Sequence, residues 1–591
     1  MTARGRKFLT TIVVLLALIG AGVGVLAYEN WDRTVILTGL LINYVRSFGA
    51  PPGTLVTERA PDGGDSVQII EGQSAESDDW QSYNKTLTSA RYSPLAQINA
   101  QNVHGLKLLC IYDTGQYTGF ESGLIVVNGA MIAATEHDIF SIDPATCRQN
   151  WRVHEDYTPA TPQAVNRGAA YLDGRLFRGT EDGRALAYDF ATGKRLWETS
   201  VANPKIGETT PSSPIAWDGL VFIGTAGGDI KGAKGRMYAL DAKTGKIVWE
   251  FYLVPKSDKD PVRGPQGASP LDHSSWKNGP NTPITGGGTW TSYTLDPQSG
   301  LLYVPGGNPG PDFATAPRPG KNLYSGSVVV LDAKTGNYRN HFKLVPKDWH
   351  DYDVSTAPAV VKTRSGKTLL SVAPKDGHLY GFDLATNAML YKTEVTRFEN
   401  DDAPFTAGKP VHFCPGSIGG AEWNGPAYDP RTNLVLIGEV EWCSSVTLAS
   451  DQSIENVKLG KPWSGNDTIN PFHTWGTQDN YGRWAGWVYA VDADSGRWMW
   501  RAKTNYPVMS GMTPTAGGLV FFGDMGGHFY ALDAASGEKL WEQKTEGGIG
   551  GGVITYSAGG AQKVAAAAGF TSILWPTQVA TGKILIFGLE W

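Results

Sequence analysis

The stretch Lys347-Asp348-Trp349-His350-Asp351-Tyr352-Asp353 places two carboxylates one residue apart, with a histidine and two aromatic residues beside them, inside a long run of short strand patterns. On a regular strand Asp351 and Asp353 point the same way, whereas in a turn they can converge on one cation. Either carboxylate could also take a proton from a substrate hydroxyl. A solvated loop is the ordinary explanation of an isolated Asp-x-Asp triplet. The choice between these readings depends on the elements that must hold the stretch.

The chain has 591 residues, with 51 Lys plus Arg against 57 Asp plus Glu and a net charge of −6. Apart from the N-terminus there is no long basic run, which argues against a nucleic-acid partner. Glycine (73) and tryptophan (20) are abundant, as suits a turn-rich all-β protein with aromatic packing repeated from unit to unit.

Arg4, Arg6 and Lys7 precede Phe8 to Tyr28, which carries no charge. As a helix this segment would be about 31 Å long, enough to cross a bilayer. The basic flank then stays cytoplasmic and the remainder is exported. An uncleaved anchor is favoured over a signal peptide, because the apolar stretch exceeds the usual length and no small-x-small site ends it. Residues 1–33 are therefore assigned as a membrane anchor. Residues 34–78 form an interfacial segment, Thr34 to Val45, and a linker containing Pro, Gly and acidic residues. Residues 79–591 form one domain.

That domain is a repeat. A strand ends in Asp, a small residue and Thr or Ser follow, usually with Gly, and the next strand carries a large aromatic. The copies run from Asp143 to Trp151, Asp189 to Trp197, Asp241 to Trp249, Asp332 to Phe342, Asp383 to Tyr391, Asp492 to Trp500 and Asp533 to Trp541. Asp and hydroxyl side chains bond local backbone amides and Gly supplies the left-handed residue, so each copy joins two antiparallel strands. The aromatic lies on the outer strand, where it can pack between neighbouring units. Asp296 and Asp429 head inner hairpins of the sheets whose outer hairpins carry Asp332 and Asp492. An eighth unit closes from the first strands after Asp79 and the last strands before Trp591. The expected fold is an all-β, eight-bladed β-propeller preceded by an N-terminal transmembrane helix, a smaller propeller with extra hairpins being the alternative.

These repeats resemble the tryptophan-docking motifs of the quinoprotein dehydrogenases, which bind pyrroloquinoline quinone (PQQ). A non-enzymatic membrane-assembly propeller shares the repeat, so a scaffold in the cell envelope is the alternative and function must come from the site. The resemblance implies that Arg167, in Val165-Asn166-Arg167-Gly168, binds the cofactor carboxylates, and that Trp290, in Gly286-Gly287-Gly288-Thr289-Trp290, stacks on the quinone. It implies that Asn308, in Gly306-Gly307-Asn308-Pro309, and Asp229, after Gly227-Gly228, are metal ligands, although alcohol-oxidising relatives usually carry Glu at the second position. Asp351 matches the catalytic aspartate, in register with Lys321. Lys375, in Ala373-Pro374-Lys375-Asp376-Gly377, matches the cation that faces the quinone oxygens.

The departures are specific. The vicinal cysteine pair of many alcohol dehydrogenases is replaced by Thr161-Pro162. Glu422 stands where a relative has Asn, leaving Trp423 or Asn424 to take that role. No Cys-x-x-Cys-His occurs, so no c-type haem domain is expected and electrons pass to a separate acceptor. Cys414 and Cys443 resemble a family disulfide, and Cys110 with Cys147, on neighbouring strand patterns of the first blade, makes a second pair in an exported protein, free thiols being the alternative.

The resemblance thus implies a membrane-anchored dehydrogenase of the bacterial inner membrane, its catalytic domain in the periplasm. It oxidises an alcohol, polyol or sugar by hydride transfer to metal-bound PQQ and passes electrons to a membrane quinone or periplasmic cytochrome. The metal is calcium or a lanthanide, held by Asp229, Asn308 and Asp351. An acidic residue at the position of Asp353 marks lanthanide-using relatives, because an extra carboxylate suits a more highly charged ion, while sugar-oxidising relatives also carry it without that metal.

Overall fold

The computed structural model of the chain describes residues 37–39, 41, 42, 45, 53–61, 67–70, 77–160, 164–256, 274–279, 281–468 and 473–590. Each Asp-headed turn is built as its residue types require. At Asp189 the carboxylate accepts from Thr192 N at 2.9 Å and Thr192 Oγ1 at 2.6 Å, and Gly193 N donates to the Asp189 carbonyl. Gly193 has φ +71°, and a Cβ there would lie 2.7 Å from the Trp151 ring. Glycine therefore does two things in this turn. It supplies the left-handed residue and leaves room for the tryptophan of the preceding unit.

The docking recurs. Trp151 Nε1 donates to Phe190 O, Trp197 to Ala242 O, Trp249 to Ala333 O and Trp500 to Ala534 O, all at 2.9 to 3.1 Å. Each outer-strand tryptophan thus buries its ring and satisfies its N–H on the turn of the next unit.

Among the described residues, eight antiparallel sheets of four or five strands follow one another along the chain. Their strands span 125–154, 170–200, 215–252, 294–343, 359–394, 427–504 and 513–544, and the eighth sheet joins 553–588 to Lys107–Asp113. Asp296 and Asp429 head inner hairpins as expected. Apolar clusters sit between successive sheets. Phe222, Trp249, Leu302 and Leu331 join the third to the fourth, and Phe529, Val553, Val564 and Phe587 join the seventh to the eighth. Trp80, Met131, Phe140, Ile554 and Ile584 join the eighth back to the first. The sheets therefore close into a ring, with the core lying between the blades.

Two expectations change. Residues 55–59, read as linker, form the strand Leu55–Arg59, which pairs antiparallel with Trp498–Thr504 and adds a fifth strand to the sixth sheet. Cys110 does not lie in the first blade. It sits on the closing strand of the eighth sheet and is disulfide-bonded to Cys147 in the first. Cys414 and Cys443 form the second disulfide. Phe8 to Tyr28 lies outside the described residues, among which no helix is long and apolar enough to cross a membrane. In the Thr34 to Val45 segment the described positions are helical, and Leu37, Leu41 and Val45 are exposed.

Candidate active site

Strand alternation collects the site. In an antiparallel sheet the connection between sheets and the connection between second and third strands leave at the same end. Arg167, Trp290, Asp351, Asp353, Trp423 and Asn424 lie on connections of the first kind, and Asp229, Asn308 and Lys375 on connections of the second. The short pairing of Thr285–Gly286 with Pro309–Gly310 then ties the Trp290 loop to the Asn308 loop.

The Asp348–Asp353 loop is shaped by its own residues. Asp348 accepts from His350 N at 2.9 Å and Tyr352 N at 3.0 Å. His350 packs on Tyr352 and Phe413, and burial depresses it to about 3, so the ring is neutral. Tyr352 Oη donates to Pro415 O at 2.7 Å. Between these anchors Asp351 takes the left-handed conformation, φ +67°, and is 1% exposed. Its Oδ2 lies 3.2 Å from Lys375 Nζ, and its Oδ1 has no hydrogen-bond partner.

Lys375 Nζ is also 2.9 Å from Asp353 Oδ2, while Asp353 Oδ1 accepts from Asn308 N at 2.7 Å. Gly307 makes that approach possible, because a Cβ on it would stand 2.4 Å from the same oxygen. Asp229 Oδ2 accepts from Trp475 Nε1 at 3.2 Å. Lys231 points away from the cluster and donates to Glu455 O at 2.7 Å. One oxygen each from Asp229, Asp312 and Asp351 lies within 4.8 Å of the others. Asp312 was not among the sequence candidates. Asn-Pro-Gly-Pro-Asp reads as an ordinary turn, and only its four-residue offset from Asn308 could have marked it.

The electrostatics follow from burial. Desolvation, opposed by Lys375 and reinforced by Asp353, Asp229 and Asp312, raises the Asp351 carboxyl well above the usual range. Asp229 is pushed up to about 6 by burial and then Asp353, and Glu422 to about 7 by burial against Lys375. Lys375, which burial alone would lower, is held well above its ordinary value by Asp351, Asp353 and Glu422. Too many carboxylates face one ammonium, and a multivalent cation among them would favour their ionised forms.

A second set surrounds Arg167. Its guanidinium carbon lies 4.7 Å from the Trp290 ring and 5.4 Å from the Trp423 ring. Nη1 donates to Trp290 O at 3.0 Å, and Nη2 pairs with buried Glu121 at 2.5 Å. Glu121 carried no sequence signal. Lys375 Nζ stands 5.6 Å from the Trp290 ring and links the two sets. Trp423 Nε1 donates to Gly550 O at 2.6 Å. The Asn424 amide donates to Met509 O at 2.7 Å and accepts from Tyr83 Oη at 3.1 Å. Thr161-Pro162 lies outside the described residues. Aromatic planes beside a buried guanidinium, next to an acidic cluster with unpartnered oxygens, fit a planar polycarboxylate quinone and its cation. A cavity of about 480 Å³ is lined by Ile42, Trp442, Tyr481 and Trp475, the residue that donates to Asp229.

The sequence profile described as "Glucose/ethanol/alcohol dehydrogenase, beta-propeller domain", of the PQQ type, matches residues 80–410. The chain is 32% identical to the "Alcohol dehydrogenase (quinone), dehydrogenase subunit" of Acetobacter aceti, over 91% of this chain and 77% of that one. The chain belongs to the PQQ-dependent dehydrogenases. Its cofactor is PQQ. The dehydrogenase is also 30% identical to the "Lanthanide-dependent methanol dehydrogenase" of Methylacidiphilum fumariolicum, over 76% of this chain and 77% of that one. A solved "Europium-containing methanol dehydrogenase" superposes with a TM-score of 0.77 at 27% identity, over 86% of this chain and 98% of that one. A second profile, "Outer membrane protein assembly factor BamB", matches residues 485–583, a stretch that holds none of the candidate site residues. The scaffold alternative is set aside by the first match and these relatives.

Proposed function

We propose that this dehydrogenase oxidises a primary alcohol, polyol or sugar, with Asp351 as the base. It is anchored in a bacterial inner membrane through Phe8 to Tyr28, its propeller lies in the periplasm, and its electrons pass to a membrane quinone or periplasmic cytochrome. Asp229, Asn308, Asp351 and Asp353 are the donors to calcium or a lanthanide. Arg167, Trp290, Lys375, Trp423 and Asn424 are the cofactor contacts. The observation that carries the reading is Asp351 itself, buried and left-handed, with one oxygen on Lys375 and the other without a partner.

Bound PQQ with its cation supplies a hydride-accepting quinone. Asp351 takes the hydroxyl proton of the substrate while the carbon-bound hydrogen leaves with its electron pair, so the alcohol becomes a carbonyl. Lys375 keeps a fixed positive charge beside the site and offsets negative charge that develops there. Arg167 orients carboxylates with its fork, and Trp290 presents its ring as a platform. The names of the relatives favour alcohols as the first substrates to try, and the two disulfides suit export.

The test is absorbance and dye-linked alcohol oxidation after supplying PQQ with calcium or with a lanthanide. Cofactor uptake and turnover are expected with at least one metal, and no uptake with either would overturn the reading. Asp351→Asn is expected to keep the PQQ absorbance and lose about 10²- to 10⁴-fold in rate. A parental rate in that variant would remove Asp351 from the role of base.

A further inference from the structure

We propose that Asp312 is a further oxygen donor to the cation and the residue that orients Asn308 toward it. This rests on the cation site proposed above. Asp312 is 0% exposed. Its Oδ1 accepts from Asn308 Nδ2 at 2.8 Å, an amide that also hydrogen-bonds Asp229, which fixes the amide plane and with it the place of Asn308 Oδ1. That oxygen faces the turn carrying Asp229, since a Cβ on Gly228 would lie 3.6 Å from it. The second Asp312 oxygen, Oδ2, has no hydrogen-bond partner, like Asp351 Oδ1.

Side-chain cations near the cluster leave Asp312 unpaired. Arg318, fully buried, directs its guanidinium to the backbone oxygens of Pro311, Asp312 and Asp348 and to Asn322 Oδ1. Lys375 pairs with Asp351 and Asp353, and Lys231 with Glu455 O. A buried carboxylate with a bare oxygen, one of three that each place one oxygen within 4.8 Å of the others, is costly without a positive partner and well placed with one. With Asp353 alongside, the carboxylates outnumber the single ammonium by enough to match a trivalent ion better than a divalent one.

Europium(III) with PQQ is the probe. The luminescence lifetime of the bound ion in H2O against D2O counts its coordinated waters. Asp312→Asn is expected to add about one water and to lose Eu3+ to competing Ca2+ at a lower calcium concentration than wild type. Asp312→Glu, which keeps the charge, is expected to stay nearer wild type in the competition. An unchanged water count with unchanged competition would overturn the role of Asp312. Should Asp312→Asn fail to fold, the anomalous peak of Eu3+ in wild-type crystals decides. An Asp312 oxygen within about 2.3–2.6 Å of it is expected, and a shell without Asp312 overturns the proposal. Wild-type protein that retains no Eu3+ would overturn the whole cation site, which distinguishes that failure from one confined to Asp312.

Discussion

Glu422 adds a further buried carboxyl beside Lys375 and the acidic cluster. It is buried, its Oε1 has no hydrogen-bond partner, and its carboxyl is pushed up to about 7 by desolvation, with Lys375 opposing and Asp353 reinforcing. A folded value above the ordinary 4.5 of a glutamate side chain means that the fold favours the neutral acid. The stability it contributes is complete below about 4.5 and is lost as pH rises through about 7. In the metal-free protein, urea midpoints followed across this window should fall more steeply for wild type than for Glu422→Gln, by up to about 3 kcal/mol at the alkaline end. Parallel curves would show that Glu422 titrates normally. The sequence resemblance placed Asp351, Lys375, Arg167 and Trp290 at the site because their motifs are local. Asp312 and Glu121 were not legible, since their meaning lies in the partners that the ring brings to them, Asn308 and Arg167.

The blade turns were legible for the complementary reason, because everything that makes them is within a few residues. Asp241 bonds Thr244 N and Oγ1, Gly245 follows, and the tryptophan comes after a fixed interval. What the local pattern does not state is the receiving surface. Trp249 leaves its own sheet, is 3% exposed, stacks against Gly336 and donates to Ala333 O at 2.9 Å in the following one. Removing such a ring leaves a cavity between two blades and an unpaired carbonyl. Trp249→Ala is therefore expected to cost about 3–5 kcal/mol, read as a lowered urea midpoint. The exposed residue Val248 on the same strand serves as a control, with Val248→Ala expected to change stability by less than about 0.5 kcal/mol. Equal effects from the two substitutions would mean that docking carries no special weight.

Closure of the ring by the two ends of the domain was legible as an expected eighth unit, but the strands that reinforce it were not, because their meaning lies in partners distant in sequence. Leu55–Arg59 looks like linker until Trp498–Thr504 presents an open edge to it. Lys107–Asp113 completes the last sheet by pairing with Lys583–Gly588, which lies near the other end of the chain. Antiparallel hydrogen bonds and the cluster around Trp80 and Ile584 hold this seam, and the Cys110–Cys147 disulfide crosses it, tying the closing strand to the first blade. The bridge spans 37 residues of sequence, for which the chain-entropy relation gives roughly 4 kcal/mol of stabilisation. Because it straddles the seam, its loss should act on closure rather than on one blade. Cys110→Ser with Cys147→Ser is expected to lower the unfolding free energy by that order and to raise hydrogen exchange first in Lys107–Asp113 and Lys583–Gly588. Loss of protection spread evenly over all eight sheets would instead place the weakest point of the ring elsewhere.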